Sequence, residues 1–263
     1  MRHACIALAL GLAAAWGGWA TAQDITVDEV VKNTNRTSYY QGQDGRARVK
    51  MTITDNQGRT RTRDFTILRL NTDDKDEEQK FYVYFHLPAD VREMVFMVWK
   101  HVGADDDRWL YLPALDVVKR IAASDERTSF VGSDFYYEDV SGRGLDEDTH
   151  ELVETTDTYY VLKNTPKNPA VVEFDSYTMH IHKQSFIPVK VEYEKGGKVY
   201  RVAEALEVKD IQGYQTVTKS RMKDLNSGSE TLLEYATVNY DVGLPEDIFS
   251  ERYLRKAPRK YLE

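Results

Sequence analysis

The spacing of apolar residues changes period along this chain, and the changes mark out its elements. Near the start, Thr26-Val27-Asp28-Glu29 reads as a capping box, with a hydroxyl at the N-cap and a carboxylate three residues on. Val27, Val30, Val31 and Thr34 then recur at helical spacing, which predicts a short amphipathic helix. From Gly45 the period becomes two: Ala47, Val49, Met51 and Ile53 alternate with Arg48, Lys50 and Thr52, as in a half-buried strand. Asp55-Asn56-Gln57-Gly58 has the composition of a hairpin turn, with 61–70 as the return strand. In 80–86, Phe81, Val83 and Phe85 share one face and Tyr82, Tyr84 and His86 the other, while 94–99 is continuously apolar. Strands of this kind must be covered on both faces.

The second half returns to strands at 149–163, 170–183, 187–194, 198–210, 214–223 and 230–240. Short turn signals such as Gly196-Gly197, Gln212-Gly213 and Asn226-Ser227-Gly228 separate several of them, so neighbouring strands run antiparallel. Leu244-Pro245-Glu246-Asp247-Ile248-Phe249 reads as a helix start, with Arg252, Arg255 and Lys256 suited to its C-terminal end. The expected fold is mainly β: an unclosed antiparallel barrel, or half-barrel, of about ten or eleven strands with a few covering helices.

Residues 1–22 alter this picture only by removal. Arg2, the apolar run 6–15 and Ala20-Thr21-Ala22 have the layout of a secretory signal cleaved before Gln23. A single domain is expected over 23–263, because no linker composition and no fixed-period repeat interrupts it. The one cysteine, Cys5, lies inside the signal, which excludes disulfides and thiol catalysis from the mature chain. The location implied is the periplasm. A net charge of −8 with mixed signs argues against nucleic acid as a partner.

Sites of chemistry are sparse. Asp105-Asp106-Asp107 lacks the glycine and glutamate of a calcium loop and reads as a solvated turn. His180 and His182 share a strand face without an evident third ligand, so no metal and no cofactor is assigned. Ser133 has an acid beside it but no G-x-S-x-G setting, and no enzyme is expected. What stands out is the apolar and aromatic density between Trp99 and Tyr137. The residues expected to frame an apolar ligand cavity are Phe85, Phe96, Trp99, Trp109, Tyr111, Leu112, Phe130, Phe135 and Tyr137.

That stretch resembles the outer-membrane lipoprotein-sorting (LolA-like) family. The resemblance rests on the run from Asp106 through Trp109-Leu110-Tyr111-Leu112-Pro113 to Leu115, on Lys119-Arg120-Ile121, and on Phe130-Val131-Gly132-Ser133-Asp134-Phe135 with Glu138-Asp139. Leu244 to Phe249 also fits. The resemblance implies an unclosed barrel lidded by helices, with a cavity for lipid or lipoprotein acyl chains, transient membrane contact and no catalytic residues. It is nearer the branch associated with RND-type inner-membrane transporters than LolA itself, which implies either a carrier or an accessory subunit of such a transporter.

Overall fold

The computed structural model describes residues 25–263; the expected signal segment lies outside them. The first element is α1 (Val27–Tyr39), closed by the capping box read from the sequence. The Thr26 hydroxyl accepts the Glu29 N–H at 3.2 Å, and the Glu29 carboxylate accepts the Thr26 N–H at 2.8 Å. Val30 and Val31 on its apolar stripe bury against Leu162 and Ile181 of the sheet. No helix among the described residues is long and apolar enough to cross a membrane.

Thirteen strands follow: β1 (Asp44–Thr54), β2 (Thr60–Asn71), β3 (Gln79–Leu87), β4 (Val95–Lys100), β5 (Asp107–Leu112), β6 (Val117–Ile121), β7 (Asp148–Thr155), β8 (Tyr159–Pro166), β9 (Ser176–His182), β10 (Pro188–Lys195), β11 (Lys198–Ile211), β12 (Tyr214–Asp224) and β13 (Ser229–Tyr240). All join one antiparallel sheet in the order β6-β5-β4-β3-β2-β1-β13-β12-β11-β10-β9-β8-β7. The pairing of β1 with β13 joins the two meanders, and β6 and β7 are left as free edges, so the barrel is unclosed.

The strand number corrects the expected ten or eleven. The segment 149–163 is two strands that reverse at Thr156-Asp157-Thr158, where the Thr156 side chain caps the turn without glycine or proline. The run around Trp109 is a further hairpin, β5–β6, turning through a 3-10 segment at Pro113–Leu115 and a left-handed Asp116. The segment 170–183 becomes strand only at Ser176. Near the C-terminus, one expected helix is instead a 3-10 turn, Glu246–Phe249, followed by the single-turn α3 (Arg252–Arg255).

The two-faced strands obtain the cover they require. On the outer face, Leu68, Tyr82, Tyr84, Met97 and Trp109 pack under Ile248, Phe249, Leu254 and Leu262 of the C-terminal segment. Polar tips pin that segment: Tyr82 donates to the Tyr253 carbonyl at 2.7 Å, Trp99 Nε1 to the Phe249 carbonyl at 2.7 Å, and Thr66 to the Leu262 carbonyl at 3.0 Å. At its root the buried Asp44 carboxylate accepts the N–H groups of Val242, Gly243 and Leu244 at 2.7 to 2.9 Å. Asp44→Ala leaves three inward N–H donors without an acceptor. It should lower stability by about 3 kcal/mol, given the strength of hydrogen bonds to charged groups. Urea denaturation followed by Trp fluorescence checks this, and an unchanged midpoint would contradict the role given to Asp44.

Candidate functional site

On the inner face, residues two apart on each strand line up across the ladder. Met51 of β1 faces Leu233 of β13, and Ile67 of β2 faces Val83 of β3 and Ala47 of β1. This face curves round a cavity of about 340 Å³. Its apolar wall is formed by Ala47, Met51, Phe65, Ile67, Phe81, Val83, Leu233 and Val238. The end of α1 supplies Thr37, Ser38 and Tyr39 on one side. The connection between β6 and β7, which crosses the open side of the barrel, contributes Phe130, Phe135, Asp139 and Val140.

Local sequence explains the shape of this crossing segment. Val131 and Gly132 both adopt positive φ, and the glycine absorbs the second left-handed residue without a side-chain penalty. The Phe130 N–H bonds the Phe135 carbonyl at 2.7 Å, and the Ser133 hydroxyl donates to the Phe130 carbonyl at 2.7 Å. Ser133 is therefore buried in holding the turn. Phe130, thrust inward, meets the rings of Phe65, Phe85, Phe96 and Tyr137 at centroid distances of 5.5 to 6.4 Å.

Charges tie both flanks of the segment to the sheet. Asp134 accepts the Thr231 hydroxyl at 2.6 Å and the Ser229 hydroxyl, both on β13. Arg201 of β11 pairs with Asp139 and stacks over Tyr136, 3.9 Å from its ring centre. Further on, α2 (Glu138–Ser141) places Glu138 against Arg127 at 3.0 Å and Arg143 at 2.8 Å. Burial pushes the Glu138 carboxyl up to about 7 against the pull of Arg143 and Arg127. Arg143 also grips Asp148 at the start of β7 at 3.0 Å. From the other half of the sheet, the buried Lys100 of β4 donates to the carbonyls of Ser141 and Gly142 at 2.6 and 3.0 Å. Side chains thus tie the crossing segment to both halves of the sheet.

Asp106 belongs to this cluster, which corrects the reading of the acidic triplet as a solvated turn. It accepts Arg108 at 2.8 Å with its side chain only 9% exposed, and Arg108 continues to Glu126 at 2.6 Å. Only Asp105 is exposed. A second, polar cavity of about 610 Å³ adjoins these groups, lined by residues of both charge signs that include Lys100, Asp106, Arg108, Glu126 and Glu138. His180 faces Glu192 at 3.4 Å and His182 bonds Ser185 at 2.9 Å. The two imidazoles are engaged separately, and no cluster of metal-ligating side chains occurs among the described residues.

The nine residues expected to frame the cavity divide between two faces. Phe130 and Phe135 line it. Phe85, Phe96 and Tyr137 lie in the same inner cluster behind Phe130, and Leu112 packs against that cluster. Trp99, Trp109 and Tyr111 point outward, under the C-terminal segment. Alternation along β4 and β5 puts a tryptophan and its strand neighbours on opposite faces, so one dense stretch serves two cores. The residues missed were the apolar wall itself: Ala47, Met51, Phe65, Ile67, Phe81, Val83, Leu233 and Val238. Their alternation was visible, but which strand faces would meet around a void was not.

An antiparallel half-barrel wrapped round an apolar cavity and strapped by its own crossing segment defines the class. A family model described as an uncharacterized protein matches residues 77–256, and the chain belongs to that family. No curated protein matches the chain. Among solved structures it is similar to a DUF1329 family protein from Desulfovibrio piger, with 27% identity, 87% of this chain and 98% of that one covered, and a TM-score of 0.78. A putative outer membrane lipoprotein-sorting protein domain from Vibrio parahaemolyticus shares the fold at 24% identity, 86% and 97% coverage and a TM-score of 0.77. A LolA superfamily protein from Nitrosomonas europaea does so at 19% identity, 87% and 99% coverage and a TM-score of 0.66. The fold expected from the LolA-like resemblance is the fold observed.

Two outcomes test this geometry. Phe130→Ala removes the ring on which four others converge and should cost about 3–5 kcal/mol in chemical denaturation; a change within error would mean that the segment is not a core element. Lys100 is lowered by burial from 10.5 to about 8. The folded state then sheds a proton that the unfolded state keeps, so stability rises with pH across that interval. The parent should gain on Lys100→Met between pH 8 and 10.5 and stay parallel to it below. Parallel curves throughout would contradict the buried charge.

Proposed function

We propose that the protein is a non-enzymatic periplasmic carrier that shields the acyl chain of a lipid or lipoprotein in the inner cavity and passes it between membrane partners. The observation that carries this reading is the cavity itself, apolar-walled and partly covered between the curved sheet and the crossing segment. Its volume of about 340 Å³ falls in the range of small-molecule pockets, about 300–1,000 Å³. An alkyl chain exposed in water loses about 0.8 kcal/mol of burial per CH₂, so a carried chain needs such a shield. The fold shared with a putative lipoprotein-sorting domain supports the reading. The resemblance adds transient membrane contact and an RND-type inner-membrane transporter as the context of transfer. Entry and release would require the crossing segment or α1 to move, since these two elements flank the void.

The test uses delipidated protein and a fluorescent fatty acid. Ala47→Phe fills the cavity from β1, and Ile67→Asp puts a charge in its wall. Each should weaken binding about tenfold or more while the circular dichroism spectrum is retained, because filling or charging an apolar site removes its burial. Trp109→Phe, on the outer face, should bind as the parent does. Binding that is unaffected by Ala47→Phe and Ile67→Asp would place the ligand elsewhere, and no binding by the parent would sink the carrier reading.

A further inference from the structure

The cavity wall is apolar along most of its length but carries an isolated cation at one end. Arg69 projects from the inner face of β2, beside Ile67, with Gly45 and Phe81 as its cross-strand partners. Its guanidinium meets only neutral acceptors. Nη1 donates to the Asn71 side chain at 2.6 Å, and Nη2 donates to the carbonyls of Gln41 and Gly42. The Nε–H and the second Nη1–H have no hydrogen-bond partner among the described residues. No carboxylate lies within ion-pair distance of Arg69 there, whereas Arg63, Arg108, Arg127, Arg143 and Arg201 each have one. The acids that act on it from further off are already engaged. Asp44 holds the backbone of Val242 to Leu244, and Asp241 accepts from the Gln43 N–H and the Tyr214 hydroxyl.

The other polar groups at this end are neutral: Gln41, Gln215, Thr216 and Tyr240. The other charged side chains of the lining are engaged, Asp139 with Arg201 and Arg46 with the Glu263 carbonyl. Gly45 matters to the arrangement. A Cβ there would lie 3.8 Å from Arg69 Nη2 and 3.7 Å from the Tyr240 ring, so a longer side chain would fill the space above the guanidinium. A half-buried cation bonded only to dipoles gains from an anion that brings its own charge-assisted hydrogen bonds.

We propose that Arg69 is the head-group site of the cavity, taking the carboxylate or phosphate of a single-chain anionic amphiphile whose tail lies along Phe65, Phe81 and Leu233. The proposal rests on the carrier reading and narrows its cargo. The free N–H groups on Nε and Nη1 leave the guanidinium a donor for either oxyanion, and the wall beyond it at Phe65, Phe81 and Leu233 is apolar.

Isothermal titration of the delipidated full chain with palmitate, hexadecyl phosphate and methyl palmitate tests it. All three share a sixteen-carbon tail or nearly so, and only the first two carry an anion. At least one anion should bind the parent about tenfold more tightly than methyl palmitate, the gain of one charge-assisted hydrogen bond. The tighter of the two then identifies the head group. Arg69→Gln should abolish that preference and leave methyl palmitate unchanged, while Arg69→Lys should keep part of it. Equal binding of all three ligands by the parent would overturn the head-group site and leave the carrier reading standing. So would an Arg69→Gln variant that weakens all three equally, since Arg69 would then serve only to hold the end of α1. Failure of every ligand to bind the parent would overturn both. The parent comparison needs no variant to fold.

Discussion

An antiparallel sheet whose central strands are apolar on both faces cannot stand in water with either face bare, and the rest of this molecule follows from that constraint. From β2 to β5 apolar side chains point both inward and outward, so the inner and outer clusters are built from the same strands. The outer face is closed by the chain's own C-terminal segment, held by tyrosine, tryptophan and threonine tips that reach its carbonyls. The inner face is closed only in part. The crossing segment inserts Phe130 against β2, β3 and β4, and α1 lies over β8 and β9. The void left between these two covers is the cavity.

The crossing segment therefore has two duties that pull in opposite chemical directions. Its aromatic half must be apolar to fill the core, and its flanks must hold a loop that no backbone ladder supports. The sequence meets both by alternation: Phe130 and Phe135 point in, while Asp134, Asp139 and Glu138 find Thr231, Arg201 and Arg143. Buried ion pairs are weak contributors to net stability when compared with an apolar core. Losing one partner is another matter, since the other charge is left stranded in a dry site.

How much of this was legible beforehand varied with the range of the interaction. The capping box, the two-residue period of β1 and the two-faced aromatic pattern of β3 are local, and each became the element it predicted. The curved open sheet was also legible, because many short strands joined by tight turns leave few other architectures. The faces were not. Trp99 and Trp109 are close to Phe96 and Leu110 in sequence, yet register places them in the outer cluster, their rings 4.9 Å apart. The importance of Asp106 was equally hidden, because Arg108 is local to it but Ser141 and Glu126 arrive only with the fold. Arg69 lies in the return strand 61–70 with no signal of its own; its lack of an acidic partner is a property of the assembled end of the cavity.

Asp44 and Gly45 are consecutive residues with unrelated duties. The first anchors the outer cover through the backbone of Val242 to Leu244, and the second faces Arg69 and Tyr240 at the end of the void. Successive residues of a strand serve opposite faces, and at the start of β1 one peptide unit joins the acceptor that roots the outer cover to the glycine that faces the end of the void. A surface far from the void in packing terms is thereby next to it in covalent terms.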